Sequence, residues 1–511
     1  MTRGAALVFA LALALDIPVV SRGLVLEDEG ATIAIAERLS RGEVLYRDAP
    51  INLGPAVYEL YGLLFRATGT SYRAARFCVS MASASCAALL FVLARSAGAP
   101  TAGAAIAPWL FVLMRPFAFP SWHMALYTPF AMALCLGALA LAFSPATAAA
   151  FGAGTLAGLA AVFKQNYGAL ALVGVLPLFF TGPRRVARCG ALGAGFALPP
   201  AAFALLFVAR GAFADFFAWS VRFALGSQRQ VFHVPAPPIF PLAGPDTAFR
   251  GSLLYYIPPL VWETLFPAFA SSATYQTTGR LELCLKAAFY VPWLASPLLL
   301  FLPGAGARRA RALALFALVF LALGSVPSCD WAHLCYAIPP TFAVAAALLG
   351  RGPRVRAASF MALALATAGT GLFFIRALAP YTYPIPRLHL RVPEPFGRAL
   401  LQASEVLEKR GVSQVLVVPY QPGFYHVSGT RNPTHADIFL PEFMDQRRRN
   451  EVGDALDAAT LVVRFGKEYA HLAPFERGFP ELHRRLLGEP LATIGGDGRA
   501  GFEIRIVAPS R

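Results

Sequence analysis

The hydrophobic positions of this chain fall into long unbroken runs from Gly4 to about Leu378, and then the pattern changes. In the first part Leu, Ala, Phe and Val fill stretch after stretch, separated by short polar hinges. Many stretches match the length a helix needs to cross a hydrocarbon core of about 30 Å. The runs predict crossings at about 4–20, 71–94, 100–115, 123–143, 148–163, 166–181, 190–209, 283–303, 312–327, 334–350 and 357–376. Between the first two, Pro55 to Arg66 carries Val57, Leu60, Tyr61 and Leu64 at helical spacing, the pattern of a helix lying in the membrane interface. Beyond Pro380 the runs shorten, and acids, His and turn residues enter. Arg398 to Lys409 reads as an amphipathic helix and Ser413 to Pro419 as a buried strand. Glu451 to Ala459 reads as a helix, with further strands at Thr460–Phe465 and Glu503–Val507. Alternating helix and strand predict a small α/β domain. The chain thus divides into a transmembrane part, residues 1–379, with a first outer loop over about 21–70, and a C-terminal domain, residues 380–511.

Charge orients the helices. Arg-only hinges stand at Arg184, Arg185 and Arg188, at Arg308, Arg309 and Arg311, and at Arg351, Arg354 and Arg356. Acid-free arginine clusters between apolar runs mark the cytoplasmic side. Hinges on one side are separated by an even number of crossings. The stretch 148–181, roughly 50 Å as one helix, is therefore read as two arms meeting at Lys164-Gln165-Asn166-Tyr167 on the outer face. The total is about eleven crossings, with the N-terminus held inside by Arg3 and the C-terminal domain exoplasmic. The first run is read as a retained helix, because no small-x-small cleavage site precedes the acids that follow it.

Composition agrees with this reading. Hydrophobic residues make up 57% and charged residues 14%, which excludes an ordinary soluble enzyme. The net charge of +16 sits largely in the hinges and does not point to nucleic acid. The seven cysteines form no C-x-x-C pair and read as small buried hydrophobes. Cys329 and Cys335 flank one outward turn and are the candidates for a disulfide.

Carboxylates are scarce, and that narrows the chemistry. No Asp or Glu occurs from Leu60 to Ala214, whereas Glu27-Asp28-Glu29-Gly30 packs three acids just beyond the first run. Asp48 is the other acid of the loop singled out, beside Arg47 and before Pro50. Lys164 is one of only four lysines and stands between two apolar arms, where an ionisable group is costly unless it lines a polar cavity or has a partner. Arg115 closes the third run. Asp330-Trp331-Ala332-His333 forms an acidic outward turn that suits pairing, acceptor positioning or metal binding. Asp16 is expected to pair with Arg22, and Glu282 with Lys286 four residues on. The bland role for the loop acids is solvation or capping of the helix that begins near Ala31.

The loop as a whole carries a recognisable order. Asp28-Glu29-Gly30 is followed by a short helix, Gly42-x-x-x-Tyr46-Arg47-Asp48, Gly54-Pro55-x-x-Tyr58, a second helix, Gly69-x-Ser71, and Arg76. This resembles the first periplasmic loop of the GT-C glycosyltransferases, and among them the bacterial relatives of protein O-mannosyltransferases and lipid A aminoarabinose transferases. The resemblance covers residues 1–380 in topology and is motif-level over 27–76; the stretch Tyr425–Thr434 also looks like the exoplasmic domain of some members. It implies a polyprenyl-phosphate-linked sugar donor and transfer to a lipid, glycan or protein acceptor on the outer face of the cell membrane. It places the family's Asp-Glu pair on Asp28 and Glu29, with the Asp as catalytic carboxylate. Lys164, Arg115 and Arg47 are then candidates for the donor phosphate, and Asp48, Asp330 and His333 for acceptor or supporting roles. No cofactor is required by this reading, and a divalent metal stays open. One departure is plain: where the aminoarabinose transferases carry a Glu-Lys pair before the Pro, this chain has Leu53-Gly54-Pro55.

Two other classes compete. A transporter or flippase of lipid-linked saccharides would show inverted repeats and broken helices near the midplane, and the sequence suggests neither. An O-antigen-ligase-like enzyme accounts for the helical body but leaves the α/β tail unexplained.

Overall fold

A computed structural model describes residues 2–180, 184–226, 231–234, 236, 290, 297, 307–324, 326, 328–458, 460–466, 475–495 and 503–509. The crossing expected at 283–303 falls outside these apart from 290 and 297, and the Glu282–Lys286 pair lies wholly outside them.

The apolar runs become helices close to where they were expected. Helix α1 spans Thr2–Asp16, α2 Asp28–Ser40, α3 Ala56–Thr68 and α4 Tyr72–Ser96. Ser71 starts α4 by accepting the Ala74 N–H at 3.2 Å, which accounts for the serine of the G-x-S motif. Then come α5 (Thr101–Ala104), α6 (Ile106–Met114), α7 (Thr128–Ala142), α8 (Thr147–Phe163), α9 (Gln165–Val175), α10 (Arg185–Ala209) and α11 (Phe213–Phe216). A π-helix over Phe217–Phe223, which periodicity did not suggest, extends α11. Beyond the undescribed segment lie α12 (Ala307–Leu323), α13 (Trp331–Ala337), α14 (Pro339–Leu349) and α15 (Pro353–Leu378).

Among the described residues, Tyr72–Ser96, Thr101–Ala118, Arg185–Ala209 and Pro353–Leu378 are long and apolar enough to cross a membrane. Helices α13 and α14 meet at a bend of 53°, the form of a broken span or a re-entrant loop, and α7 and α8 are shorter apolar helices. The chain is mostly helical, and its long apolar helices are those of a membrane protein. Alanines such as Ala87, Ala94, Ala138, Ala153 and Ala157 are buried between helices, where small side chains let backbones approach. Among the described residues two helix breaks stand out, one that the sequence did not suggest and one at the turn expected over Lys164–Tyr167. One break is the α13–α14 bend. The other is at Lys164, a single extended residue (φ −148°, ψ 105°) between α8 and α9. The chain folds back there, for Gly168 lies against Ala157 and Ala161.

The C-terminal part holds a hairpin of β1 (Tyr381–Ile385) and β2 (Leu390–Pro393), then α16 (Glu394–Lys409), β3 (Leu416–Val418), α17 (Gly423–Ser428), α18 (Gln446–Asp457), β4 (Val462–Phe465), α19 (Phe475–Gly478), α20 (Pro480–Arg485), β5 (Ala492–Gly495) and β6 (Glu503–Val507). The sheet runs β3-β4-β6-β5, parallel between β3 and β4 and antiparallel elsewhere. Strand alternation gives it two apolar faces. Leu416, Val418, Val462 and Val507 pack with Phe439, Leu456, Phe475 and Leu482. Val417, Val463, Phe465, Ile504 and Ile506 instead join one core with Ile33, Leu39, Tyr46, Tyr58 and Tyr61 of the first loop. The tail and the loop are therefore halves of one packing unit across the 380 boundary.

Glycines make this docking close. A Cβ on Gly30 would sit 2.4 Å from the Gly423 nitrogen, and the Gly423 N–H donates to the Leu26 carbonyl at 2.8 Å. Helices α2 and α17 cross at a glycine–glycine contact that no larger residue permits.

Three pairings differ from expectation. Asp16 pairs with Arg115, both buried, because the end of α1 meets the end of α6; Arg22 is not its partner. Cys329 and Cys335 are not joined in a disulfide, Cys335 being buried within α13. Glu29, expected beside Asp28 in the site, is fully buried and held by Arg76. The Arg76 Nε donates to Glu29 Oε1 at 2.7 Å and Nη2 to Oε2 at 2.6 Å. The same guanidinium donates to the carbonyls of Val20, Arg22 and Gly23 (3.2, 2.9 and 3.0 Å). Glu29 Oε1 also accepts the Ala125 N–H at 2.9 Å.

Removing one partner of a buried pair leaves the other charge uncompensated, at about 3–5 kcal/mol. Glu29→Gln is therefore expected to lower the unfolding temperature of the detergent-solubilised protein markedly. A melt indistinguishable from the parent would show that the pair is not a structural staple.

Candidate active site

With Glu29 turned inward, helix geometry sets the direction of its neighbour. Successive residues project about 100° apart around a helix, so Asp28, at the first position of α2, points away from the Arg76 staple. Its side chain is accessible to solvent. Its Oδ1 accepts the Tyr420 hydroxyl at 2.8 Å, a contact spanning 392 residues of sequence. The Gly30–Gly423 crossing delivers Tyr420 to this spot. Burial pushes the Asp28 carboxyl above its ordinary 3.8; the Tyr420 hydrogen bond opposes that, and the nearby charges of Glu27 and Asp330 add to it.

Lys164 lies in the same neighbourhood. It is 6% exposed, and its ammonium stands over the rings of Tyr167 (4.2 Å), Tyr336 (5.6 Å) and Tyr127 (5.7 Å). Its hydrogen-bond partner is the Thr128 hydroxyl at 3.5 Å. Among the described residues no carboxylate lies within ion-pair distance of it; its electrostatic partner is the more distant Asp330. Tyr127 and Tyr336 are also within electrostatic reach of Asp28, which places the cage and the carboxylate in one neighbourhood.

Two further contacts fix the turn that carries Lys164. Gln165 donates to the Asn52 carbonyl and to the Ser220 carbonyl, both at 3.1 Å. Gly54 presses on the end of α8, where a Cβ would sit 2.3 Å from the Val162 oxygen. The Gly54-Pro55 position, where the resembling enzymes carry a lysine, thus abuts the residues immediately before Lys164.

Asp330 and His333 join this cluster. Asp330 caps α13, accepting the His333 N–H at 2.8 Å, and its carboxylate meets His333 Nδ1 at 2.8 and 2.9 Å. Both residues act electrostatically on Asp28. The Tyr336 hydroxyl donates to the Ser121 carbonyl and Trp331 Nε1 to the Phe117 carbonyl at 3.0 Å, which holds α13 to the turn after α6.

Of the residues singled out in the sequence, the fold gathers Asp28, Lys164, Asp330 and His333. It keeps Glu29 behind them, and Arg115 in its buried pair with Asp16. Arg47 and Asp48 pair with each other at 3.0 Å, and Asp48 also accepts the Val44 N–H at 2.8 Å, the turn role a residue before Pro50 can take. Sequence reasoning missed Tyr420 and the tyrosine cage. Tyr167 was in view beside Lys164, but nothing in the sequence tied Tyr127 and Tyr336 to the same lysine. Among the described residues no three His, Cys, Asp or Glu side chains gather as metal ligands.

Comparison with family models and with curated proteins finds no match. Solved structures do match. The crystal structure of ArnT from Cupriavidus metallidurans bound to undecaprenyl phosphate is similar over 99% of this chain and 98% of its own, with a TM-score of 0.54 at 15% identity. Over nearly its whole length this chain shares the fold of that structure.

Proposed function

We propose that the protein is an integral-membrane glycosyltransferase that moves a hexosyl or pentosyl unit from a polyprenyl-phosphate donor to an acceptor on the exoplasmic face of the inner membrane. The observation that carries this reading is a buried ammonium with no carboxylate at ion-pair distance among the described residues, caged by tyrosines that also lie within electrostatic reach of the accessible Asp28. A desolvated cation is costly unless it is paired, and the phosphate of a lipid-linked sugar would supply the missing charge. The likeness to a transferase that binds undecaprenyl phosphate supports the same donor class. In this reading the remaining crossings bring the total to about eleven and leave the C-terminal domain periplasmic.

The chemistry is a single inverting displacement. The acceptor hydroxyl oxygen forms a bond to the anomeric carbon while the bond from that carbon to the phosphate oxygen breaks. The hydroxyl proton passes to Asp28, acting as general base. Polyprenyl phosphate leaves as an anion beside Lys164, whose charge stabilises the oxygen that gains electron density. The tyrosine cage holds the ammonium in place by its ring faces, so that the cation does not have to reorganise during reaction. Lys164 takes the place of the lysine absent at Gly54, since the two positions abut. Asp330 and His333 border the acceptor, Tyr420 orients Asp28, and Glu29 positions it through Arg76. Arg115, Arg47 and Asp48 serve structure. The two broken helices are shared with the transporter reading, but an accessible carboxylate opposite a caged cation, in a chain with a transferase fold, favours transfer.

Lys164→Ala is expected to raise the KM for the lipid-linked donor about tenfold or more, from the loss of a charge-assisted contact of about 1.5–3 kcal/mol. Lys409→Ala, which removes an exposed ammonium paired only with Glu405, should leave it unchanged. Equal donor KM in the two variants would refute the assignment of Lys164.

The pH profile tests the base. Asp28 works as the carboxylate, so transfer should fall as pH drops through its raised pKa. Tyr420→Phe removes the contact that lowers that pKa, and the acid limb of kcat/KM should move to higher pH. A limb that stays in place or moves to lower pH would separate Asp28 from the reaction.

A further inference from the structure

A second concavity lies on the far side of α2. Glu37 is nine residues after Asp28, which places it half-way round the helix and about 13 Å along it. Beside it a cleft of about 660 Å³ opens between α2 and the loops around 387 and 430. That volume is in the range of small-molecule sites, about 300–1,000 Å³.

The charges around the cleft do not balance. Its three acids are already engaged. Glu37 is paired with Arg41 at 2.6 Å and with His426 Nε2 at 3.1 Å. Glu43 and Asp437 are held by the buried Arg38 at 2.7 and 2.5 Å. Burial pushes the Glu37 carboxyl up, but the hydrogen bond and charge of His426 together with Arg41 outweigh it and hold it at about 2. Two guanidiniums on the lining remain. Among the described residues, neither Arg387 nor Arg431 has a side-chain hydrogen bond or ion pair.

Arg387 is also placed with care. Its guanidinium lies where a Cβ on residue 429 would be, 1.6 Å from Nη1, so only the glycine found there admits it. The adjoining His389, also on the lining, is held at φ 53°, ψ 35°, a left-handed conformation that a non-glycine residue adopts at a cost. Tyr72, Asn432 and Thr430 give the rest of the lining the mixed polar and aromatic character that suits a hydroxyl-rich ligand.

We propose that this cleft is a second binding site, separate from the Asp28–Lys164 cavity, for an anionic saccharide whose phosphate or carboxylate is bound by Arg387 and Arg431. Helix α2 stands between the two sites. The arginine fork suits either oxyanion.

Binding to the full-length protein in nanodiscs, measured by calorimetry with glucose 6-phosphate, glucuronate and glucose, tests this without any transfer assay. At least one charged sugar should bind, at least tenfold more tightly than glucose. Whichever does so identifies the oxyanion as phosphate or carboxylate. The variant R387Q/R431Q should weaken that binding tenfold or more, while K164Q leaves it unchanged. Both arginines are exposed, and an unaltered melting temperature would show that the double variant is folded. Failure of both charged sugars to bind, equal binding of glucose, undiminished binding in R387Q/R431Q, or loss of binding in K164Q would each overturn the proposal. None of these outcomes bears on transfer at Asp28.

Discussion

The pairing of Glu29 with Arg76 fixes where everything else in the site can be. One guanidinium on the first turns of α4 takes both oxygens of a carboxylate on α2 and three carbonyls of the chain between α1 and α2. The Ala125 N–H adds the turn after α6 to the same knot. Four segments are thereby held to a single buried charge pair. Its cost in desolvation is offset because nearly every polar atom of the pair finds a partner. The consequence for function is directional: the acid that is buried forces the acid before it to face the cavity.

The buried charges of this molecule are of two kinds. Arg76, Arg115 and Arg38 are buried and matched by Glu29, Asp16, and Glu43 with Asp437. Lys164 is buried and matched by ring faces instead. Cation–π attraction places an ammonium well but does not neutralise it, and the acid that acts on Lys164 is the more distant Asp330. In the cleft behind α2 the surplus is of another kind, two exposed guanidiniums beside acids already paired. Both surpluses flank α2, and both depend on the tail docking against the first loop through Gly30 and Gly423.

Much of this was legible in the sequence, for physical reasons. Apolar runs and arginine hinges report the membrane directly, so α4, α10 and α15 fall close to their expected places. Lys164 stood out because a lone lysine between apolar arms is expensive. The motif order in the first loop led to the right fold. What the sequence did not disclose was set by tertiary contact. Asp28 and Glu29 are neighbours with opposite fates, and only the position of Arg76 tells them apart. The pairing of Arg115 with Asp16 was not visible because the two lie 99 residues apart. Tyr420 lies far beyond any window of local pattern. The α17 helix and the β1–β2 hairpin were missed because each is short and stabilised by packing against other elements.

The central claim is that Asp28 accepts the proton of the acceptor hydroxyl. The most direct measurement is turnover by Asp28→Asn, reconstituted with a lipid-linked donor that the parent uses. Asn keeps the shape of the side chain and an oxygen for the Tyr420 hydroxyl, so the melting temperature and the donor KM should stay at the parent values. It lacks the basicity to take a proton, so kcat should fall by about 10²–10⁴-fold. Turnover at the parent rate in the folded Asp28→Asn protein would contradict the account.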